Sequence, residues 1–246
     1  MPPRDTVEIL GLQFDRLTRA KAAEAVVALA REGGKHYVVK PYSEFMPRAR
    51  KDAKIRAILQ GASLCLADGV GVVWASRLLG RALPQAMRGV DFTWEMLSAL
   101  DRAGLSVYLL GGTEDEVRLS EKRIRERLPG LSIAGAHQGH LSASDNAAVV
   151  AKINAEKPDV LLVAMGFPRQ ELWIAEHLPS LDVKVAVAEG GSFTFISGAV
   201  SRAPRWMRRA GLEWAYRLFR QPWRLRRQLA LPVFAWLVLV ERVKGR

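Results

Sequence analysis

Asp68 is the residue whose type and position most directly suggest catalysis. It stands in LADGVGV, after an apolar run of strand length and before Gly69 and Gly71, which allow a tight turn into a helix. A carboxylate in that position can take the proton of a substrate hydroxyl group as a general base. It can also accept the first backbone N–H groups of the following helix as an N-cap, which spacing alone favours. Spacing alone does not decide between the general base and the N-cap.

Two glycine pairs also follow apolar runs. Gly111 and Gly112, in LLGGTEDEV, stand between a strand and a helix N-terminus, where backbone N–H groups can bind phosphate. This pair does not form a GxGxxG motif, so a plain tight turn is an equal alternative. Gly190 and Gly191, in VAEGGSFTFISG, permit close approach of the backbone to a ligand at another strand end. All four glycines are candidate substrate-binding residues.

The segment VAMGFPRQELWI has an unusual composition where a strand gives way to a helix. Gly166 ends the strand and Pro168 suits the first helical turn. Arg169, Gln170 and Glu171 then stand near the helix start, where a guanidinium and an amide can reach a ligand. Generic spacing would make this a capped helix, but the composition makes Gly166, Gln170 and Glu171 candidate binding residues.

A fifth strand end, in HYVVKPYSEF, places Lys40 and Tyr42 at the rim of the expected site. His137 and His140, in AHQGHLS, have no carboxylate or thiolate at ligand spacing, so we expect no metal and no cofactor. Cys65 is the single cysteine and lies in the apolar run SLCLADG, which favours a buried, inert thiol over a nucleophile.

The elements that carry these residues alternate regularly between strand and helix. Strand-length apolar runs begin at KHYVVKPY and end at DVKVAVAEGG, with helical patterns between them, including one through roughly residues 44 to 60. Most strands are apolar on both faces, which predicts a Rossmann-like α/β fold with a mainly parallel sheet and helices on both faces. In such a sheet the ligand binds beyond the carboxyl ends of the strands, where the candidate residues stand.

The composition changes near residue 195, where the alternation stops. With 246 residues, of which 49% are hydrophobic and 25% charged, we expect one main domain at 1–200 and a helical appendage at 201–246. The N-terminus lacks the apolar core of a signal peptide, so we expect a cytoplasmic body.

The appendage carries most of the net charge of +12. Residues 202–246 contain twelve Lys and Arg residues and only two acidic residues, Glu213 and Glu241, so the rest of the chain is nearly balanced. Such a tail suits polyanions, and composition does not choose among nucleic acid, anionic lipid headgroups and the diphosphate of a substrate.

The tail also contains the unbroken apolar run LALPVFAWLVLV at 229–240. A helix of that length extends about 18 Å, against a hydrocarbon core of about 30 Å, and Pro232 interrupts it. With Trp206, Trp214, Trp223 and Trp236 among the arginines, the pattern favours monotopic attachment through an interfacial or re-entrant segment. A C-terminal helix that packs on a partner subunit is the alternative, and both can hold in a homo-oligomer.

Six segments together resemble a known family. They are LADGVGVVWASRLLG, MRGVDFTWEML, YLLGGTEDEV, KPDVLLVAMGFPRQELWI, AEGGSFTFISG, and RAPRW followed by GLEWAYRLFRQPWRLRR. They resemble the TagA/WecG/CpsF family of bacterial glycosyltransferases from about residue 5 to residue 228. The pairing of GxPxQE with EWxYR-x6-R-x2-R is the specific part of the resemblance.

The resemblance implies transfer of a hexose from a UDP-sugar to a polyprenyl-diphosphate-linked saccharide at the inner face of the cell membrane, with inversion and without a metal. It implies that Asp68 is the base, that Gln170 lines the active-site pocket, and that Arg217, Arg224 and Arg227 stabilise the leaving diphosphate. It implies no nucleic-acid partner. The rival hypothesis is a non-catalytic protein that binds nucleic acid or anionic lipid on a Rossmann-like scaffold.

Two departures from the family pattern concern the donor sugar. Members that transfer N-acetylmannosamine usually carry Thr-x-Asn where this chain has Lys40, Pro41 and Tyr42. They also carry an arginine where this chain has Ala86, and Arg88 is the candidate substitute. A plain hexose such as glucose is therefore as good a donor candidate as N-acetylmannosamine, and Lys40 could meet a uronic acid carboxylate or a substrate phosphate.

Overall fold

The computed structural model describes residues 4–204, 206–207, 213–220 and 229–244. The chain begins with an antiparallel hairpin of β1 (Thr6–Ile9) and β2 (Leu12–Asp15), followed by helix α1 (Arg19–Glu32). The hairpin stays outside the main sheet and packs its apolar side chains beside β4 and α4, defined below.

Six parallel strands form the main sheet, in the order β4-β3-β8-β7-β5-β6. Their bounds are β3 (His36–Val39), β4 (Leu64–Cys65), β5 (Val107–Gly111), β6 (Ile133–His137), β7 (Val160–Ala164) and β8 (Val185–Ala188). Strands β5, β7 and β8 are buried along their whole length because helices cover both faces. The predicted Rossmann-like fold is confirmed.

Eight helices follow α1 as far as residue 196. They are α2 (Met46–Lys51), α3 (Ala53–Gln60), α4 (Val70–Leu78), α5 (Gly89–Ala103), α6 (Glu114–Arg127), α7 (Asp145–Glu156), α8 (Arg169–His177) and α9 (Ser192–Ile196). Helices α1, α5 and α6 pack on one face of the sheet, and α7 and α8 pack on the other.

The single helix predicted through residues 44 to 60 is wrong, because α2 and α3 are separate helices. Asp52 stands between them in an extended conformation. Its carboxylate accepts the backbone N–H of Ile55 at 3.1 Å and so caps the start of α3.

The described part of the appendage contains helices α10 (Glu213–Arg220) and α11 (Ala230–Lys244). Helix α11 packs against α2 and α4 and buries Phe234 and Val238 in the same core cluster as the hairpin. The Glu241 carboxylate accepts the backbone N–H of Leu10 at 2.9 Å, which joins α11 to the turn of the hairpin. Among the described helices, none is long and apolar enough to cross a membrane.

Replacing Gly111 with alanine should lower the free energy of unfolding by about 3 kcal/mol or more. An added Cβ would lie 2.4 Å from the Ala164 carbonyl oxygen, and the residue has φ +149°. The matched control is Gly80→Ala, because Gly80 has φ +74° but nothing within 4 Å of an added Cβ, which should cost about 1 kcal/mol. Urea denaturation measures both, and equal costs would contradict the close packing of β5 on β7.

Candidate functional site at the carboxyl ends of the strands

Asp68 follows β4 and lies at the start of α5. Its Oδ1 accepts the backbone N–H of Gly89 at 3.1 Å, and its own N–H donates to the Pro41 carbonyl at 3.2 Å. Helix α4 begins after Gly69 without any side-chain cap, so the N-cap role that spacing favoured is wrong. The half-buried carboxylate instead occupies the N-terminal end of α5, where exposed N–H groups favour a negative charge.

Arg88 is the residue just before this contact. It has a left-handed backbone with φ +48°, and its carbonyl accepts the Asp91 N–H at 2.8 Å. This sharp turn directs the Gly89 N–H to Asp68. The half-buried Arg88 is therefore next to the contact between Gly89 and Asp68, and its role toward a ligand stays a prediction.

Lys40 does not lie at the rim, and that expectation is wrong. Its side chain is 3% exposed, and its Nζ lies 2.8 Å from Oε2 of Glu189, whose side chain is 0% exposed. The reason is the register of β3 against β8, in which Val38 pairs with Val187. Two residues later on each strand, Lys40 and Glu189 stand opposite each other.

Glu189 is a functional candidate that the sequence interpretation missed, together with two hydroxyl groups. The Thr93 hydroxyl lies 2.5 Å from Glu189 Oε2 and 2.9 Å from the Gly89 carbonyl. The Ser192 hydroxyl lies 2.8 Å from both the Glu189 carbonyl and Oε2. The available signal was a lone glutamate at the end of the apolar run VAVAEGG, where a lysine ends the neighbouring strand.

Gln170 joins the ends of two strands. Its Oε1 accepts the backbone N–H of Gly190 at 2.8 Å and that of Gly166 at 3.2 Å, and its Nε2 donates to Glu171 Oε1 at 2.8 Å. The buried amide thus fixes the loops after β7 and β8 relative to each other. Contact of Gln170 with a ligand stays a prediction.

Glu171 is a buried carboxyl group in this arrangement. Burial raises the pKa of Glu171 to about 7, against the opposing effects of the hydrogen bond from Gln170 and of the positive charge on Lys40. The carboxyl group therefore changes its charge near neutral pH.

The turn at Gly111 and Gly112 is tightly bonded within the chain. The Gly112 N–H donates to the Ala164 carbonyl at 3.0 Å, and the Gly112 carbonyl accepts the Gly139 N–H at 2.9 Å. At the start of α6, Thr113 and Glu116 form a reciprocal capping box. These contacts fit the tight-turn alternative, and phosphate binding there stays a prediction. Gly191 directly precedes α9.

Tyr42 belongs to an aromatic cluster beside the loop that follows Asp68. Its ring lies 3.6 Å from that of Phe45, which stacks on Phe167 at the same distance. The Tyr42 Cβ also lies near Gly69. The half-buried Tyr42 therefore lines the loops that surround Asp68.

The remaining sequence predictions concern thiol, metal and arginine chemistry. Cys65 is buried in β4, which confirms the predicted buried thiol, and burial raises the pKa of that thiol. Within the described ranges, no cluster of three or more His, Cys, Asp or Glu residues could hold a metal ion. Arg217 belongs to α10, while Arg224 and Arg227 lie outside the described residues.

A parallel sheet with a half-buried carboxylate at one strand end is the architecture of Rossmann-like enzymes, which bind their ligands at that edge. Residues 7–246 match the model of the glycosyl transferase WecG/TagA/CpsF family, and the chain belongs to this family. It is a glycosyltransferase, which excludes the hypothesis of a non-catalytic scaffold.

Two relatives show how far the similarity extends. The chain is 36% identical over 193 residues to the N-acetylglucosaminyldiphosphoundecaprenol N-acetyl-beta-D-mannosaminyltransferase of Bacillus subtilis (strain 168). The aligned region covers 78% of this chain and 75% of the relative. The chain is 31% identical over 234 residues to the protein of the same name from Staphylococcus aureus (strain MW2), which covers 94% of this chain and 91% of the relative.

Replacing Glu171 with glutamine should stabilise the protein at pH 8 by up to about 3 kcal/mol and change little at about pH 4. The folded pKa of about 7 exceeds the ordinary value of 4.5, so the stability that the protonated group contributes is fully present below about pH 4.5 and is lost as pH rises from there to about 7. Glutamine reproduces the neutral form and can still accept the hydrogen bond from Gln170. Urea denaturation at both pH values measures the effect.

The matched control is Glu126→Gln on α6, because Glu126 is exposed and its loss should cost less than about 0.5 kcal/mol at either pH. If Glu171→Gln changed the stability equally at both pH values, Glu171 would not be the group that titrates.

Proposed function

We propose that this glycosyltransferase moves a hexose from a UDP-sugar to a saccharide linked to polyprenyl diphosphate, with inversion and without a metal, in the synthesis of a bacterial surface polysaccharide. The names of the two relatives support the acceptor class, because they describe transfer to N-acetylglucosaminyldiphosphoundecaprenol. The family resemblance of the motifs supports the donor class.

The observation that carries the proposal is the position of Asp68. Inversion in a single displacement requires a base that takes the proton from the acceptor hydroxyl as its oxygen attacks the anomeric carbon. Asp68 is held through Oδ1 by the Gly89 N–H, at the edge of the sheet where ligands bind. We assign this proton transfer to Asp68.

The leaving UDP needs positive charge or N–H donors when no metal is used. We assign this role to Arg217, Arg224 and Arg227, which match the family motif, with Arg88 as a further candidate beside Gly89. Arginine suits the task because its planar guanidinium can bind two phosphate oxygens at once.

The pairing of Lys40 with Glu189 bears on the donor. Since its ammonium is buried against an internal carboxylate, Lys40 is not available to a carboxylate on a uronic acid. We therefore propose a neutral hexose donor. The relatives carry N-acetylmannosaminyltransferase names, while the residues at Lys40, Pro41 and Tyr42 favour testing glucose beside N-acetylmannosamine.

We also propose that the enzyme binds the membrane through an apolar face formed by α4 and α11. In the part of the chain that the structure describes, all large hydrophobic side chains that are exposed lie on α4 or at positions 206–243. The apolar face comprises Trp74, Val233, Trp236, Leu239 and Val243. The four on α11 recur every three or four residues and so lie along one side of the helix.

A groove beside this apolar face provides basic groups. It has a volume of about 830 Å³, lies between α2, α3 and the start of α11, and combines three cationic side chains with apolar and acidic ones. Its charged lining comprises Glu44, Arg48, Lys51, Asp52 and Lys54. Cations next to an exposed apolar stripe suit the headgroup region of an anionic bilayer.

Replacing Asp68 with asparagine should reduce transfer by about 100-fold or more because the amide cannot accept the proton. Asparagine can still accept the Gly89 N–H, so the fold should be retained. In the assay, the enzyme is incubated with each of several UDP-sugars and a synthetic prenyl-diphosphate sugar. Mass spectrometry then identifies the product by its mass.

The exposed carboxylate of Asp182 provides the control, since Asp182→Asn should transfer sugar at the rate of the unchanged enzyme. Undiminished transfer by Asp68→Asn would exclude Asp68 as the base. Absence of transfer by the unchanged enzyme from every UDP-sugar would refute the proposed donor class.

Replacing Trp236 with serine should weaken binding to vesicles of anionic phospholipid by about tenfold, because an exposed indole would no longer enter the bilayer surface. Cosedimentation with vesicles measures the effect. Lys152→Ser, an exposed change on α7, should leave binding unaltered. Equal binding of vesicles by both variants would show that α11 does not contact the membrane.

A further inference from the structure

Folding stability alone does not explain the buried ion pair of Lys40 and Glu189. Removing two charges from water costs free energy, and apolar side chains of similar size often pack at least as stably. Both side chains are almost completely buried where β3 and β8 end. A buried pair next to a reaction site is therefore a candidate for a functional role.

The pair is connected to the first turn of α5. Glu189 Oε2, 2.8 Å from the Lys40 ammonium, also lies 2.5 Å from the Thr93 hydroxyl. Thr93 is one helical turn after Gly89, and its hydroxyl lies 2.9 Å from the Gly89 carbonyl. The carboxylate thus anchors the N-terminal turn of α5 through a single threonine.

That turn supplies the N–H group that holds Asp68. Gly89 presents its N–H to Asp68 Oδ1, and a Cβ added to Gly89 would lie 3.5 Å from Asp68 Oδ2 and 3.9 Å from the Ser192 hydroxyl. Asp68, Gly89 and Ser192 are therefore neighbours, and Ser192 also contacts Glu189 Oε2. Any shift of the first turn of α5 would move the donor on which the Asp68 carboxylate rests.

We propose that Lys40 and Glu189 are positioning residues, which act through Thr93 and the first turn of α5 to hold the Asp68 carboxylate in its working orientation. The proposal rests on the proposed function of Asp68 as the base. The Lys40 ammonium lies against Glu189 Oε2, and the same oxygen accepts hydrogen bonds from the Thr93 and Ser192 hydroxyls.

The decisive comparison is Thr93→Val against Thr93→Ser. Valine keeps the shape of threonine but removes the hydroxyl, whereas serine keeps the hydroxyl. We expect Thr93→Val to lower kcat by between about 10-fold and 100-fold, as small displacements of catalytic groups do, with the donor KM changed by less than about threefold. Thr93→Ser should recover most of the lost kcat.

A second readout does not depend on activity. In the unchanged protein the Gly89 amide should exchange slowly with solvent, because it donates to Asp68. Thr93→Val should speed that exchange by about tenfold or more, as measured by amide NMR under native conditions, and Thr93→Ser should not. Unchanged exchange at Gly89 in Thr93→Val would overturn the positioning role, even if the enzyme transferred no sugar in any assay.

The charges themselves are tested by the double variant Lys40→Met/Glu189→Gln. Each single change leaves one buried charge without its counterion, so the double variant should unfold at a higher temperature than either single variant. Its kcat should still fall by about tenfold or more, because neutral glutamine anchors Thr93 less firmly. Full kcat in the folded double variant would overturn the role of the ion pair.

Ser76→Ala is the control for loss of a buried hydroxyl. The Ser76 hydroxyl donates to the Val73 carbonyl at 2.7 Å and accepts the Leu83 N–H at 3.0 Å, within and just after α4. This variant should lower the unfolding temperature and leave kcat unchanged. If Thr93→Val behaved in the same way, Thr93 would have only a structural role.

Discussion

Strands β3 and β8 pair in parallel with Val38 opposite Val187, and this register decides which side chains meet where the strands end. It brings Lys40 to Glu189, and β8 also pairs with β7, whose loop leads into Gln170. Gln170 in turn binds the Gly190 N–H in the loop after β8. A shift of one residue between β3 and β8 would separate the lysine from its carboxylate and leave two buried charges unpaired.

The polar side chains at the strand ends differ in burial. Asp68 is half-buried, whereas the side chains of Gln170, Glu171 and Glu189 are buried. Gln170 bonds to Glu171 and to backbone N–H groups. Glu189 bonds to the hydroxyls of Thr93 and Ser192. The Asp68 carboxylate thus stands at a sheet edge whose neighbouring loops are fixed by buried polar side chains. Such support is required because reacting groups must be held close to their productive geometry.

Sequence reasoning found what local patterns encode. The parallel sheet followed from strands that are apolar on both faces, and the position of Asp68 just after a strand followed from its place after the run SLCLA. Thr93 and Ser192 were not predicted from the sequence, because a hydroxyl within an apolar helix gives no local signal until the helix is placed against Glu189. Lys40 was placed wrongly for a related reason, since its burial depends on strand register, which no single segment contains.

The hydrogen bond between Glu241 and Leu10 joins the last described helix to the first hairpin. With Phe234 and Val238 also buried, α11 cannot turn about its own axis without breaking these contacts. If α11 is the membrane contact proposed above, these contacts would pass the orientation of α11 on the bilayer to the sheet. Under that proposal, the enzyme and a lipid-linked acceptor would meet by diffusion in two dimensions, with Asp68 held at a constant height above the bilayer.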